Sequence, residues 1–311
     1  MNPVSNPAIG GIPLVLGGNV FGWTCDRDAS FAVLDAFYEG GGRMIDTAEI
    51  YSKWIPGNVG GESETLIGEW QEARGVRAEL RIATKVAVTD EPAGLTPQAL
   101  ASHLQGSLER LRTDYVDLLY SHYDAPGASQ EDTARGFAAL IANGSVRAAG
   151  ASNFTAERLA SALGAADGVG GGHYSVLQNE YNLVRRHKFE GAVQDLCLAR
   201  GIASLPFYGL AAGYLTGKYR SAADLEKHKR GGRVKEFIGI GAPVLAAMDT
   251  VAAETGASHA AIALAWLLAQ PGVAAPIASA TTPAQVRELV AAVSLQLDEG
   301  QLARLTAAVP A

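Results

Sequence analysis

Short apolar runs alternate along this chain with stretches whose apolar positions recur at helical spacing, and glycine or polar clusters separate the two. Pro13 to Phe21 (PLVLGGNVF) reads as a buried strand that turns at Gly17, Gly18 and Asn19. Asp28 to Glu39 reads as a helix with Phe31, Leu34, Ala36, Phe37 and Tyr38 on its apolar face, ended by Gly40 to Gly42. The order then repeats. Strands are predicted at Met44–Asp46, Arg81–Lys85, Val116–His122, Val146–Asn153, Val176–Gln178, Ile202–Phe207 and Val273–Ser279. Helices are predicted at Ser63–Glu72 with Ser63 as the cap, Thr96–Leu111, Gln130–Asn143, Thr155–Leu163, Glu190–Arg200, Ala257–Ala269 and Pro283–Ala292.

Eight strand-plus-helix units without a linker predict one closed α/β barrel, a single (β/α)8 TIM domain over residues 1–311. A doubly wound sheet shares the alternation but places a nucleotide at its first glycine turn. The G-x-G-x-x-G fingerprint is absent from Gly17-Gly18-Asn19-Val20-Phe21-Gly22. The barrel carries a further expectation: its chemistry belongs at the C-terminal ends of the strands.

Composition narrows the function classes. With 311 residues, 48% of them hydrophobic, the chain can bury a large core. A net charge of −7 argues against a nucleic-acid surface, since phosphates would be repelled except at a local basic cluster such as Lys227 to Arg233. The two cysteines, Cys25 and Cys197, have no neighbours at metal-ligand spacing, so no disulfide framework and no metal site is expected. MNPVSNPAIGG lacks a basic segment followed by an apolar core, and no apolar run approaches the roughly 18 residues of a membrane span. The expectation is a cytoplasmic protein without a membrane or nucleic-acid partner. Nothing in the sequence sets an oligomeric state.

Titratable residues close the early strands. Asp46 ends the second, Lys85 the third and His122 the fourth, while Tyr51 follows Asp46 within MIDTAEIYS. Each has an ordinary reading as a turn residue, a strand-end charge or a core histidine. Together on one rim they make an acid for neutral pH: an ammonium next to a phenol, whose pKa is ordinarily about 10, favours its ionised form and lowers that value. Asp46 would hold Lys85 in place, and His122 would orient a carbonyl or share the proton.

DTAEIY (46–51), ATK (83–85), DLLYSH (117–122), GASNF (150–154), LQNEYN (177–182) and LTGKY (215–219) occur in that order, and with them the chain resembles the aldo-keto reductases over nearly its whole length. The resemblance implies a nicotinamide cofactor bound without a Rossmann domain, and a catalytic tetrad of Asp46, Tyr51, Lys85 and His122. It implies that Ser152, Asn153 and Gln178 bind the nicotinamide carboxamide and that Phe207 supplies the aromatic face against the ring. Leu210, Thr216, Gly217 and Lys218 would line the pyrophosphate, where backbone N–H groups and one cation meet negative charge.

The cofactor implied by the family is NADP, but the segment Ser279 to Leu289 (SATTPAQVREL) departs from the basic pattern of NADP-preferring members. Ser279, Thr281 and Gln285 carry no charge and only Arg287 is basic, which leaves NAD open. The polar stretch Arg220 to Gly239, predicted as a loop, would supply phosphate charge from Lys229, Arg230 or Arg233 if it folds over the cofactor. Trp23, Trp54 and Tyr123 would wall an apolar pocket for a small-molecule carbonyl substrate, an aldehyde or a ketone. The same tetrad run backwards oxidises a sugar or alcohol. Two other classes remain in view: a cofactor-binding regulatory subunit resembling the potassium-channel β subunits, and a metal-dependent barrel hydrolase, which typically needs paired histidines where this chain has Gly18-Asn19-Val20.

Overall fold

The computed structural model describes residues 6, 8–86, 95–125, 127–227 and 231–308. Strand and helix alternate as β1 (Val15–Gly17), α1 (Arg27–Glu39), β2 (Met44–Asp46), α2 (Glu62–Arg74), β3 (Arg81–Val86), α3 (Pro97–Leu111), β4 (Leu118–Ser121), α4 (Gln130–Ala142), β5 (Ala149–Ser152), α5 (Ala156–Val169), β6 (Tyr174–Gln178), α6 (Ala192–Arg200) and β7 (Ala203–Ser204). The short α7 (Gly231–Val234) and α8 (Phe237–Ile240) precede α9 (Ala242–Thr255), α10 (His259–Leu268), β8 (Ile277–Ala278), α11 (Pro283–Ala292) and α12 (Glu299–Ala307).

All eight strands are parallel, in the order β7-β6-β5-β4-β3-β2-β1-β8. The ring closes through the segment ahead of β8. Ser204 N–H donates to Gly272 O at 2.9 Å, Ala274 N–H to Ser204 O at 2.9 Å and Ile277 N–H to Pro206 O at 2.8 Å. The fold is a (β/α)8 barrel. β7 and β8 are much shorter than the apolar runs 202–207 and 273–279 predict, because Pro206 and Pro276 each remove a ladder donor.

Side-chain caps account for most helix starts: Asp26, Thr96, Ser129 and Thr155 each accept a backbone N–H from the first turn of α1, α3, α4 and α5. Ser63 does not cap α2. Gly61 holds that position without a side-chain bond, and the Ser63 hydroxyl donates instead to Gly18 O at 2.8 Å. The stretch 220–239 is likewise not a plain loop, since α7 and most of α8 fall in it. α9 and α12 are additions to the predicted set. Among the described residues no single helix is long and apolar enough to cross a membrane.

The two-residue period of a strand decides how the barrel is filled. Met44, Ala83, Leu118, Tyr120, Val176, Ala203 and Ile277 form an apolar cluster separate from the larger one that includes Leu16, Ile45, Ile82, Leu119 and Leu177. The first set points into the barrel and the second toward the helices. Two residues beyond Met44, Ala83, Tyr120, Val176 and Ile277, on the same inward face, come Asp46, Lys85, His122, Gln178 and Ser279. Gly150 leaves room on that face for Tyr120, whose ring carbon lies 2.6 Å from where a Cβ would sit.

Candidate active site

At the carboxyl ends of the strands, three of the four tetrad residues meet through one atom. Lys85 Nζ donates to Asp46 Oδ2 at 2.6 Å, to Tyr51 Oη at 2.8 Å and to the Thr47 carbonyl at 2.8 Å. Gln178 Nε2 donates to the other carboxylate oxygen of Asp46 at 2.8 Å. The tyrosine reaches the lysine because 47–52 folds back over the barrel mouth. Tyr51 N–H donates to Ala48 O at 3.0 Å, Ser52 takes a left-handed φ of 72°, and its hydroxyl anchors to Phe21 O at 2.7 Å. His122 is one residue past β4, its ring centroid 6.2 Å from that of Tyr51 and stacked on Tyr123 at 4.9 Å.

The electrostatics correct one expectation. Burial, followed by the charge of Asp46, pushes the Tyr51 phenol well above its usual pKa rather than below it. Lys85 spends its charge on a carboxylate 2.6 Å away, and its own ammonium is shifted down by burial, with Asp46 working against that shift. Tyr51 at rest therefore holds its proton. The ammonium donates to the phenol oxygen at 2.8 Å, while the phenol's own bond to Asp46 Oδ2 is long, at 3.5 Å. Burial, then the charge of Lys85, lowers His122 to about 2, so the imidazole is neutral. His122 Nδ1 is buried with no hydrogen-bond partner among the described residues.

A cleft of about 950 Å³ opens above these groups, at the large end of ligand sites. Of the residues singled out in the sequence, Asp46, Tyr51, His122, Ser152, Asn153, Gln178, Phe207, Leu210, Thr216, Lys218, Ser279, Thr281, Gln285, Trp54 and Tyr123 line it. Lys85, 1% exposed, lies beneath. Two do not line it. Gly217 ends a helical turn at φ 79°, and Trp23 stands behind Trp54, edge to face at 5.7 Å. Arg233 lines the cleft with its guanidinium 5.4 Å from the Trp23 ring. Lys229 and Arg230 lie outside the described residues. Arg287 is exposed and off the cleft, whereas its neighbour Glu288 lines it.

The polar groups suit a carboxamide and a dinucleotide. Asn153, at a left-handed φ of 60°, donates to His122 O at 3.1 Å and to Ser152 Oγ at 3.0 Å. That leaves the serine hydrogen and the Asn153 oxygen for a ligand, and Gln178 likewise keeps its amide oxygen. Across the barrel, Gly17 passes so close to β8 that a Cβ there would meet Ser279 Oγ at 2.6 Å, and that hydroxyl donates to Asn19 Oδ1 at 2.7 Å. The sequence reading missed Asn19 and Tyr208. Tyr208 is an exposed ring beside Phe207 at 5.2 Å, in a left-handed conformation that an FY dipeptide does not announce.

Comparison with known proteins gives the family. The aldo/keto reductase family model matches residues 13–310. A norsolorinic acid reductase of Emericella nidulans is 30% identical over 96% of this chain and 78% of its own length. An aryl-alcohol dehydrogenase [NADP(+)] of Phanerodontia chrysosporium is 28% identical over 92% of this chain and 77% of its own. A probable voltage-gated potassium channel subunit beta of Arabidopsis thaliana is 29% identical over 88% and 85%. With six motifs in order, a closed eight-stranded barrel and a match across nearly all its length, this chain belongs to the aldo/keto reductase family.

Proposed function

We propose that this protein catalyses the reversible reduction of an aldehyde or ketone to an alcohol, with a nicotinamide cofactor as the redox partner and Tyr51 as the proton donor. The observation that carries the reading is the three-way contact at Lys85 Nζ, which joins a buried carboxylate to a phenol facing the cleft. When bound, the reduced nicotinamide supplies the hydride. Ser152, Asn153 and Gln178 would hold its carboxamide and so choose the ring face, with Phe207 against the ring. Leu210, Thr216 and Lys218 would meet the pyrophosphate. Ser279, Thr281 and Gln285 would meet the far ribose.

The protein's own part is proton transfer and positioning. Tyr51 protonates the carbonyl oxygen as negative charge develops there. Lys85 stabilises the phenolate left behind, an interaction stronger in the transition state than at rest. Asp46 keeps the lysine charged. Neutral His122 offers an N–H to the same carbonyl oxygen and aligns it with Tyr51. NADP is the proposed cofactor, in line with the family and with the relative named for NADP(+), and the neutral set at Ser279 to Gln285 also accommodates NAD. Cys25 and Cys197 are buried thiols that form no disulfide, in keeping with a reducing, cytoplasmic setting.

Tyr51→Phe tests the reading. It removes the donor without touching the cleft's outer half, so turnover should fall at least about a thousandfold while NADPH affinity, read by tryptophan quenching, stays within about twofold. Near-normal turnover in this variant would refute the assignment. A second reading, a regulatory subunit that binds the cofactor without turnover, is favoured by the Arabidopsis relative. Oxidation of NADPH in the presence of a panel of aldehydes separates the two.

A further inference from the structure

The loop that carries Tyr51 is tied down by groups that the proposed chemistry does not use. Thr47 N–H donates to Ala83 O at 2.8 Å and Glu49 N–H to Lys85 O at 3.2 Å, so 47–49 runs along β3 as far as the backbone of the lysine itself. At the far end the Ser52 hydroxyl donates to Phe21 O at 2.7 Å. Tyr51 lies between these ties, with its phenol 2.8 Å from Lys85 Nζ. Ser52 at φ 72° holds a conformation that a serine rarely adopts, so the fold-back depends on being fixed by its surroundings.

A side-chain tie also crosses from this loop to the outer layer of helices. The Glu49 carboxylate and His103 Nδ1 of α3 are 2.9 Å apart, although 54 positions separate them in sequence. A carboxylate only accepts, so Nδ1 carries a hydrogen and donates it. Both side chains are partly buried, which screens the contact less than a surface pair. The helix that supplies the imidazole is itself well anchored: Leu100, Leu104, Ser107, Leu108 and Leu111 are buried, and α3 packs between α2 and α4. No described residue of α3 lines the cleft.

We propose that the His103–Glu49 contact positions the proton donor, by using α3 as the fixed post that holds 47–52 where the Tyr51 phenol meets the Lys85 ammonium. This rests on the role proposed for Tyr51 and adds His103 to it as a positioning residue that acts through Glu49. The Glu49 backbone touches the lysine carbonyl and its side chain touches the helix, so one residue registers the loop against both. A misplacement of about 1 Å at a reacting group costs about a hundredfold in rate, which sets the scale of the effect.

The test reads the loop and the reaction separately. In hydrogen–deuterium exchange of the whole protein, His103→Ala should speed the amides of 47–53 at least about tenfold while those of β3 and β4 keep their wild-type rates. Steady-state assays with the best substrate from a panel of aldehydes should show kcat lowered about tenfold to a hundredfold, with KM and NADPH affinity within about twofold. His103→Asn, whose amide nitrogen stands as many bonds from Cβ as Nδ1 does, should recover most of both. Glu49→Ala should do at least the harm of His103→Ala, and adding His103→Ala to it should do no more. Unchanged exchange at 47–53 overturns the inference. So does loosening spread evenly over α3 and its neighbours, or a loss that lies in KM or in NADPH affinity. Loosening confined to 47–53 in a protein that turns over no aldehyde would uphold the positioning contact and refute carbonyl reduction.

Discussion

Replacing Lys85 by methionine tests the centre of the site through stability as well as rate. Lys85 and Asp46 are 1% and 2% exposed with nitrogen and oxygen 2.6 Å apart. At an effective dielectric constant of about 20, two charges at that distance attract by about 6 kcal/mol, most of which is offset by the cost of taking both out of water. The pair therefore contributes little net stability as a unit. Breaking it is costly, because among the described residues Asp46 keeps only the Gln178 amide at 2.8 Å and a weak contact to Tyr51 at 3.5 Å. Methionine retains the apolar stem, so the loss is chiefly that of a stranded carboxylate, about 3–5 kcal/mol. Urea unfolding followed by the fluorescence of the four tryptophans measures it. The double variant Lys85→Met/Asp46→Asn removes the stranded charge and should regain at least about 2 kcal/mol over the single one, with no return of turnover. A single variant within about 1 kcal/mol of wild type, or a double variant no more stable than the single, would refute the reasoning.

Three further outcomes follow from other parts of the structure. His122, held neutral with its pKa lowered to about 2, contributes fully above its unfolded value of about 6.5 and loses about 1.4 kcal/mol per pH unit below it. The unfolding free energy from urea titrations should thus fall between pH 7 and 5 by about 2 kcal/mol more for wild type than for His122→Asn, and equal falls would show that the barrel accepts the imidazolium. Gly68 of α2 sits where a Cβ would meet Arg110 O of α3 at 2.2 Å, so Gly68→Ala should destabilise by about 1–3 kcal/mol or more. At Gly164 of α5 nothing lies within 4 Å, so Gly164→Ala should stabilise by about 0.5–1 kcal/mol in the same urea unfolding.

How far the site was legible depends on the reach of each interaction. Asp46, Lys85, His122 and Gln178 stand at strand ends with apolar residues two places before them, and the strand period carries them to the inner face whatever the rest of the chain does. The helix caps Asp26, Thr96, Ser129 and Thr155 are equally local. Ser63 shows the limit: it has the residue type of a cap, but its hydroxyl finds Gly18 across the β1 turn, a partner 45 positions away. Tyr208 enters the cleft at a left-handed turn and Arg233 from the four-residue α7, and no periodicity encodes either.

The alternating apolar pattern, the six motifs and the absence of a G-x-G-x-x-G turn determined the barrel, the family and which polar residues stand at the strand ends. These depend on spacing along the chain, which sequence carries directly. Tertiary structure alone decided the charge states and the allotment of roles around the rim. Burial is a property of the assembled barrel, so only the fold could reverse the direction in which the Tyr51 phenol is shifted and keep His122 neutral. Only the fold could turn Arg287 away from the cleft and bring Arg233 onto Trp23, because distance between side chains far apart in sequence is set by packing.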